Sequence, residues 1–348
     1  MIIDCAVHPV LPDAEFNKEI GSPWNLLKLP SLYGDRYAAP FDQLSVPAEQ
    51  AASPSAVADQ LLHGAGVDLA VLAPTTRGYW PNPQQAAAVA SAANRMLFEN
   101  WLTAPEADGR FLGSIRIALN DTDVALREID RWADDDRFVQ IVVPARALAT
   151  YGEQRFFPIW RSAAERGLVV FVHDDLGTLV EPPPSQVGFP SFYAETHAIR
   201  PLAGITQLTS FIVAGVFERL PELRVVFGDV SAHAARSLVV RTDKDWQSDR
   251  LEVPWVSEAP TSYLEQHVRF ITQAEDDISP HSPRSTGTIG GDTSSLVLYG
   301  SRHPYWDGVN ARDVFPAWSQ EERARCLADN AAQFYPRLAA RLSADMSA

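Results

Sequence analysis

The sequence predicts an α/β fold, a (β/α)8 TIM barrel in which eight parallel strands close on themselves inside a ring of helices. Three observations predict it. Short apolar or β-branched runs recur eight times along the chain, helical patterns separate most of them, and no glycine-rich G-x-G-x-x-G turn follows an early strand. Strand–helix alternation with eight strands selects a closed barrel, and the missing glycine turn disfavours an open dinucleotide-binding sheet. Barrels routinely exceed the ordinary size of one domain, so residues 1–348 are expected to form a single one.

The predicted strands are Ile3–Val7, Leu69–Ala73, Phe111–Ala118, Val139–Val143, Leu168–His173, Arg224–Asp229, Val268–Thr272 and Ser295–Gly300. Near-continuous apolar runs are what a parallel sheet buried on both faces requires. The helical candidates are Ser55–His63, Pro83–Leu102, Thr122–Ala133, Phe156–Arg166, Ile205–Leu220, Ala234–Trp246 and Gln320–Leu342. In Thr122–Ala133 the 3.6-residue period puts Val124, Ile129 and Trp132 near one face, with Asp123, Arg127 and Asp130 nearer the other. Two long insertions, Pro9–Pro54 after strand one and Asp174–Ala203 after strand five, fall on the face where barrels keep their sites. They are expected to lid a pocket. The 26 prolines gather in such connections, as at Pro182–Pro184, Pro280 and Pro283.

Composition excludes several classes. An apolar fraction of 46% supports a large core, yet no segment approaches the roughly 18 apolar residues of a membrane span. The net charge of −15 argues against nucleic acid or an anionic membrane as partner. MIIDCAVHPV has no basic region leading into an apolar stretch and reads as a strand. Two cysteines make no disulfide framework and fit a reducing compartment, so a cytoplasmic location is expected. Cys5 reads as a small buried hydrophobe.

Residues at the C-terminal ends of barrel strands face the mouth. They are His8 after strand one, His173 closing strand five, Asp229 closing strand six and Arg302 past strand eight, with His303 adjoining. Leaving such groups buried and unpaired would cost about 1–3 kcal/mol each, so their convergence points to a site. His233, His197, Arg77, Tyr79 and Trp80 are lesser candidates, and His63, His267 and His281 read as structural or exposed. Trp246, Trp255 and Trp306 suit loop packing or a subunit contact. No Gly-x-Ser-x-Gly elbow supports serine catalysis.

Several segments resemble the amidohydrolase-2 family, which includes aminocarboxymuconate-semialdehyde decarboxylase-like proteins. They are EIDRWADDDRFVQIVVPA (128–145), YGEQRFFPIW (151–160), GVFERLPELRVVF (215–227), DKDWQSDRLEVPW (243–255), SYLEQHVRFITQ (262–273) and SRHPYWD (301–307). The resemblance runs through nearly the whole chain in order. It implies hydrolysis or non-oxidative decarboxylation of small carboxylated or cyclic compounds, and a homodimer.

At the family's metal site the chain departs from pattern. Members usually begin Asp-x-His-x-His, with an acidic residue sometimes at the first histidine; here Asp4-Cys5-Ala6-Val7-His8 puts Ala6 there. The strand-six position, usually His or Glu, is Asp229. The usual Ser-Asp-x-Pro-His-Trp-Asp reads Ser301-Arg302-His303-Pro304-Tyr305-Trp306-Asp307, so the expected aspartate is Arg302. A zinc or manganese site could still use His8, His173 and Asp229, with Asp4 or Asp174 as extra carboxylates. A permanent guanidinium beside them repels a divalent cation, so no cofactor is expected. Arg302 could instead hold a carboxylate or a developing oxyanion, with His8, His173 or His303 moving protons. As a third possibility, Arg302 bridges Asp229 and Asp307 in a non-catalytic homologue that acts as a partner or binding protein.

Overall fold

The computed structural model describes residues 1–26, 44–76, 80, 82–147, 149–173, 192–273, 293–316 and 318–345. Its sheet has eight strands in sequence order: β1 (Ile3–Val7), β2 (Leu69–Leu72), β3 (Phe111–Arg116), β4 (Phe138–Pro144), β5 (Val169–His173), β6 (Val225–Phe227), β7 (Val268–Ile271) and β8 (Val297–Leu298). Every neighbouring pair is parallel. All eight predicted strands are present, several trimmed at their ends.

Alternation along each strand divides the core in two. Cys5, Val71, Leu112, Val169, Phe171, Val226, Ile271 and Leu298 form one apolar cluster inside the barrel, together with Phe334, Tyr335 and Leu338 of the C-terminal helices. Their alternates, among them Leu72, Ile115, Ile141, Val170, Val225 and Phe270, pack outward under the surrounding helices. The inner layer also holds a polar chain. Tyr335 OH donates to Gln140 Oε1, Gln140 Nε2 donates to Ser114 Oγ, and Ser114 Oγ donates to the Leu72 carbonyl, each at 2.8 Å.

Between β8 and β1 the barrel is joined by a few backbone bonds. Cys5 N donates to Tyr299 O at 2.8 Å and Arg302 N to Ala6 O at 2.9 Å. The buried Asp4 carboxylate reinforces this seam, accepting from Ser301 N at 2.9 Å and Ala6 N at 3.2 Å. Burial raises its pKa to about 6 against these hydrogen bonds.

The helices follow the predicted order with three physical corrections. The predicted helix Ile205–Leu220 begins at Pro201 and is split into Pro201–Val213 and Val216–Arg219. Gly215 lies between them at φ 69°, with the Trp255 ring where a Cβ would be. The predicted helix Gln320–Leu342 is interrupted at Tyr335, because Pro336 has no N–H to continue the ladder. Helices outside the predicted set include Asp13–Ile20 and Pro260–His267. Asp13–Ile20 buries Phe16 and Ile20 with Val89, Ala93 and Met96 of helix Pro83–Met96.

Of the first insertion, Leu44 and Ser45 are tied to the turn after β8. Leu44 makes an antiparallel bridge with Tyr305, and Ser45 donates through N and Oγ to Pro304 O at 2.7 and 2.9 Å. The second insertion is described only from 192 onward and begins with helix Tyr193–Ile199. Among the described residues no helix is long and apolar enough to cross a membrane.

Candidate active site

The inward register of β5 carries on past Val169 and Phe171 to His173, which is buried. Gly228, just after β6, leaves room for that ring: a Cβ there would lie 2.7 Å from His173 Cδ2. His8 follows β1 and stacks on His173, with ring centroids 4.3 Å apart and planes inclined 27°. His8 Nδ1 lies 2.9 Å from Ala73 O. A carbonyl only accepts, so Nδ1 carries the proton and Nε2 presents a lone pair. His8 Nε2 is buried with no hydrogen-bond partner. Burial, reinforced by His173 and Arg302, holds the His8 pKa well below the usual imidazole range.

Arg302 occupies the centre of the charge pattern. Its backbone is left-handed, with φ 56°, a conformation that costs a non-glycine residue about 1–2 kcal/mol. Nη1 donates to Gln273 Oε1 at 3.0 Å. Nη2 lies 3.4 Å from Asp229 Oδ1 and 3.3 Å from Asp307 Oδ2. Asp229 Oδ2 in turn lies 3.7 Å from His173 Nε2, and Asp307 Oδ2 lies 3.6 Å from His197 Nε2. The contacts to Asp229 and Asp307 are ion-pair distances rather than short hydrogen bonds. Arg302 Nε is buried without a hydrogen-bond partner. The guanidinium is therefore held at one corner, and its Nε–Nη2 edge is bonded loosely.

The structure thus brings His8, His173, Asp229 and Arg302 together. His303 stands apart from the ion pairs. Its N–H donates to Ser301 Oγ at 3.0 Å, its carbonyl accepts from His8 N at 2.7 Å, and burial pushes its pKa down to about 4. Tyr305 packs on His8 at 5.4 Å between centroids and meets Thr75 Oγ1 through its hydroxyl at 3.1 Å.

Among the lesser candidates, His197 reaches the site through Asp307, while His233 meets Thr293 Oγ1 at 3.3 Å. Trp80 donates to Thr76 O at 3.0 Å. His267 is structural, with Nδ1 donating to Leu223 O at 3.0 Å and its ring stacked on Phe217. Trp246 donates to Val256 O, while Trp255 and Trp306 remain 45% and 47% exposed. Cys5 and Cys326 are buried and are not joined in a disulfide. Arg77, Tyr79, Asp174 and His281 lie outside the described residues.

Sequence reasoning missed Gln273 and Arg116. Gln273 is the inward residue two beyond Ile271, a position its register reveals. Arg116 is the last inward residue of β3 and only 5% exposed. The predicted strand ran two residues past it, to Ala118, so it never counted as a strand end.

A divalent cation fits this set poorly. Among the described residues no group of three or more His, Cys, Asp or Glu is placed to hold one. At the family's first ligand position, Ala6 packs where a Cβ on Gly300 would come within 2.9 Å of it. The Asp229 carboxylate has Arg302 at one oxygen and His173 at the other.

The eight parallel strands define a (β/α)8 barrel with its polar cluster at the strand ends, and the chain belongs to the amidohydrolase family, whose pattern it matches over residues 3–337. A curated relative is the 2-amino-3-carboxymuconate-6-semialdehyde decarboxylase of Dictyostelium discoideum, 26% identical over 179 residues. That match covers 48% of this chain and 45% of the relative, so the chain aligns with about half the relative's length. An amidohydrolase of Mycobacterium avium subsp. paratuberculosis superposes with a TM-score of 0.75 at 19% identity, covering 96% of this chain and 98% of that one. A dihydroxybenzoic acid decarboxylase from Polaromonas, solved with bound manganese and an inhibitor, gives 0.64 at 14% identity, covering 96% and 97%.

Proposed function

We propose that the protein is an enzyme of the hydrolase or carboxy-lyase type that acts on a small carboxylated or cyclic substrate, with Arg302 in the electrostatic role a metal plays in its relatives. One observation carries this reading. A buried arginine on a strained backbone keeps Nε without a partner and Nη2 only at ion-pair range. That edge is the fork that binds a carboxylate through two parallel hydrogen bonds. It would orient an anionic substrate group or stabilise an oxyanion as charge develops.

His173 stands within ion-pair distance of Asp229 and is the proton carrier in this reading. His8, with a fixed tautomer and an open Nε2, accepts a hydrogen bond from the substrate. His303, held off the ion pairs, supports His8 through its carbonyl. Decarboxylation, hydrolysis and an acid–base lyase or cyclisation step all need these same parts.

The test is a panel of small aromatic and unsaturated carboxylates, assayed for CO2 release and for hydrolysis after exhaustive chelation. Activity that survives chelation and is lost in a folded Arg302→Met variant is the expected result. About one zinc or manganese per chain, lost together with activity in His173→Ala, would overturn it in favour of a metal enzyme using His8, His173 and Asp229. Nucleic acid and membrane have no place in this reading. The half-exposed Trp255 and Trp306 support a homodimer, which sedimentation would test.

A further inference from the structure

A second polar group stands at the end of β3, on the same C-terminal face of the strands as Arg302. Leu112, Ser114 and Arg116 alternate on β3, and the first two point into the barrel. Arg116 therefore projects inward at the top of the strand. Its Nη2 donates to Pro74 O at 2.9 Å, which fixes the guanidinium against the end of β2. Asn94 brackets the same residue from helix Pro83–Met96, taking Arg116 N at 2.7 Å and donating to Arg116 O at 2.8 Å.

Beside it is Thr76, 2% exposed, whose Oγ1 has no hydrogen-bond partner. A buried hydroxyl without a partner is costly and uncommon in a native fold. Both residues line a solvent-open cleft of about 310 Å³, with Trp80, Val89, Asn120 and Pro144 among its other walls. The closed part is narrow, with room for one or two water-sized atoms. A carboxylate group is about that size. An indole and aliphatic side chains share the lining, so the body attached to that carboxylate is apolar or planar.

The geometry points to a second anion subsite, in which Arg116 and the Thr76 hydroxyl hold a carboxylate of the substrate distal to the group at Arg302. The ligand class is a dicarboxylate with a flat or apolar centre. This inference rests on the proposed function for the role of Arg302, and the experiment separates the two.

Benzoate and the three benzenedicarboxylates are titrated by calorimetry into the full-length protein and into Arg116→Gln, Thr76→Val and Arg302→Met, each checked for an unchanged thermal melt. Thr76→Val removes the hydroxyl and keeps the shape, so it remains informative if Arg116→Gln does not fold. For the wild type, one dicarboxylate isomer binds about tenfold or more tighter than benzoate, as a charged hydrogen-bonded contact provides. In Arg116→Gln and Thr76→Val that preference shrinks while the benzoate affinity stays put.

Equal binding of benzoate and every dicarboxylate to wild type overturns the subsite, as does absence of any dicarboxylate binding. So does a preference that persists in both variants. If Arg302→Met leaves benzoate binding unchanged, the Arg302 reading fails instead. The subsite still stands in that case, provided that the dicarboxylate preference disappears with Arg116.

Discussion

A methyl group on Gly228 would press on His173 Cδ2 from 2.7 Å and on the Phe171 ring from 3.0 Å. Gly228→Ala is therefore expected to displace the His173 ring, lower stability by about 1–3 kcal/mol and reduce turnover more than substrate affinity. Denaturant melts and kcat against KM check this. At His303 the quantity to watch is pH. Its folded pKa of about 4 lies below the usual 6.5, so the unfolded chain takes up the proton first as pH falls. Stability is present above pH 6.5 and is lost towards pH 4, by roughly 3 kcal/mol if the whole shift is expressed. Asp4, raised to about 6, acts in the opposite sense: its contribution is present below pH 3.8 and lost as pH rises through about 6. Melts of His303→Gln between pH 4 and 7 should be flatter than wild type; an unchanged slope would refute the assignment.

At the scale of elements, the inner polar chain joins β3, β4 and the C-terminal helical segment. Tyr335→Phe removes one hydroxyl and leaves Gln140 Oε1 buried without its donor. A loss of about 1–3 kcal/mol is expected, with little change in activity. Chemical denaturation measures it. This polar chain was not legible in the sequence, because Ser114, Gln140 and Tyr335 come together only when the barrel closes. The strands themselves were legible, since a sheet buried on both faces needs unbroken apolar runs and the sequence has eight. Strand ends were less so: local pattern cannot tell where a ladder stops, and the two residues added to β3 concealed Arg116. Helix breaks at Gly215 and Tyr335–Pro336 were written in residue types that an apolar period passes over. The candidate site was legible as a set of strand-end residues, but the contact of Gln273 with Arg302 depends on the turn after β8.

For the whole molecule, the join between β8 and β1 sets where the barrel opens. Few backbone bonds cross it, and Asp4 reinforces them from inside. Asp4→Ala removes the acceptor of two N–H groups and is expected to weaken this join first. Amide exchange at Cys5 and Arg302 should then accelerate by tenfold or more, corresponding to about 1.4 kcal/mol of local opening. Exchange in the β4–β5 ladder should hardly change. Uniform acceleration across all strands would show that the barrel opens as one unit instead.

The companions of Arg302 have a further consequence. Asp229 and Asp307 are themselves carboxylates, so they resemble the group that the arginine is proposed to receive. An incoming anion does not fill a void; it exchanges with a resident one, and the net affinity is the difference between two similar contacts. Such a site favours rapid release over tight capture. Asp307, once displaced, would also loosen its hold on His197, carrying the news of occupancy to the helix that follows β5.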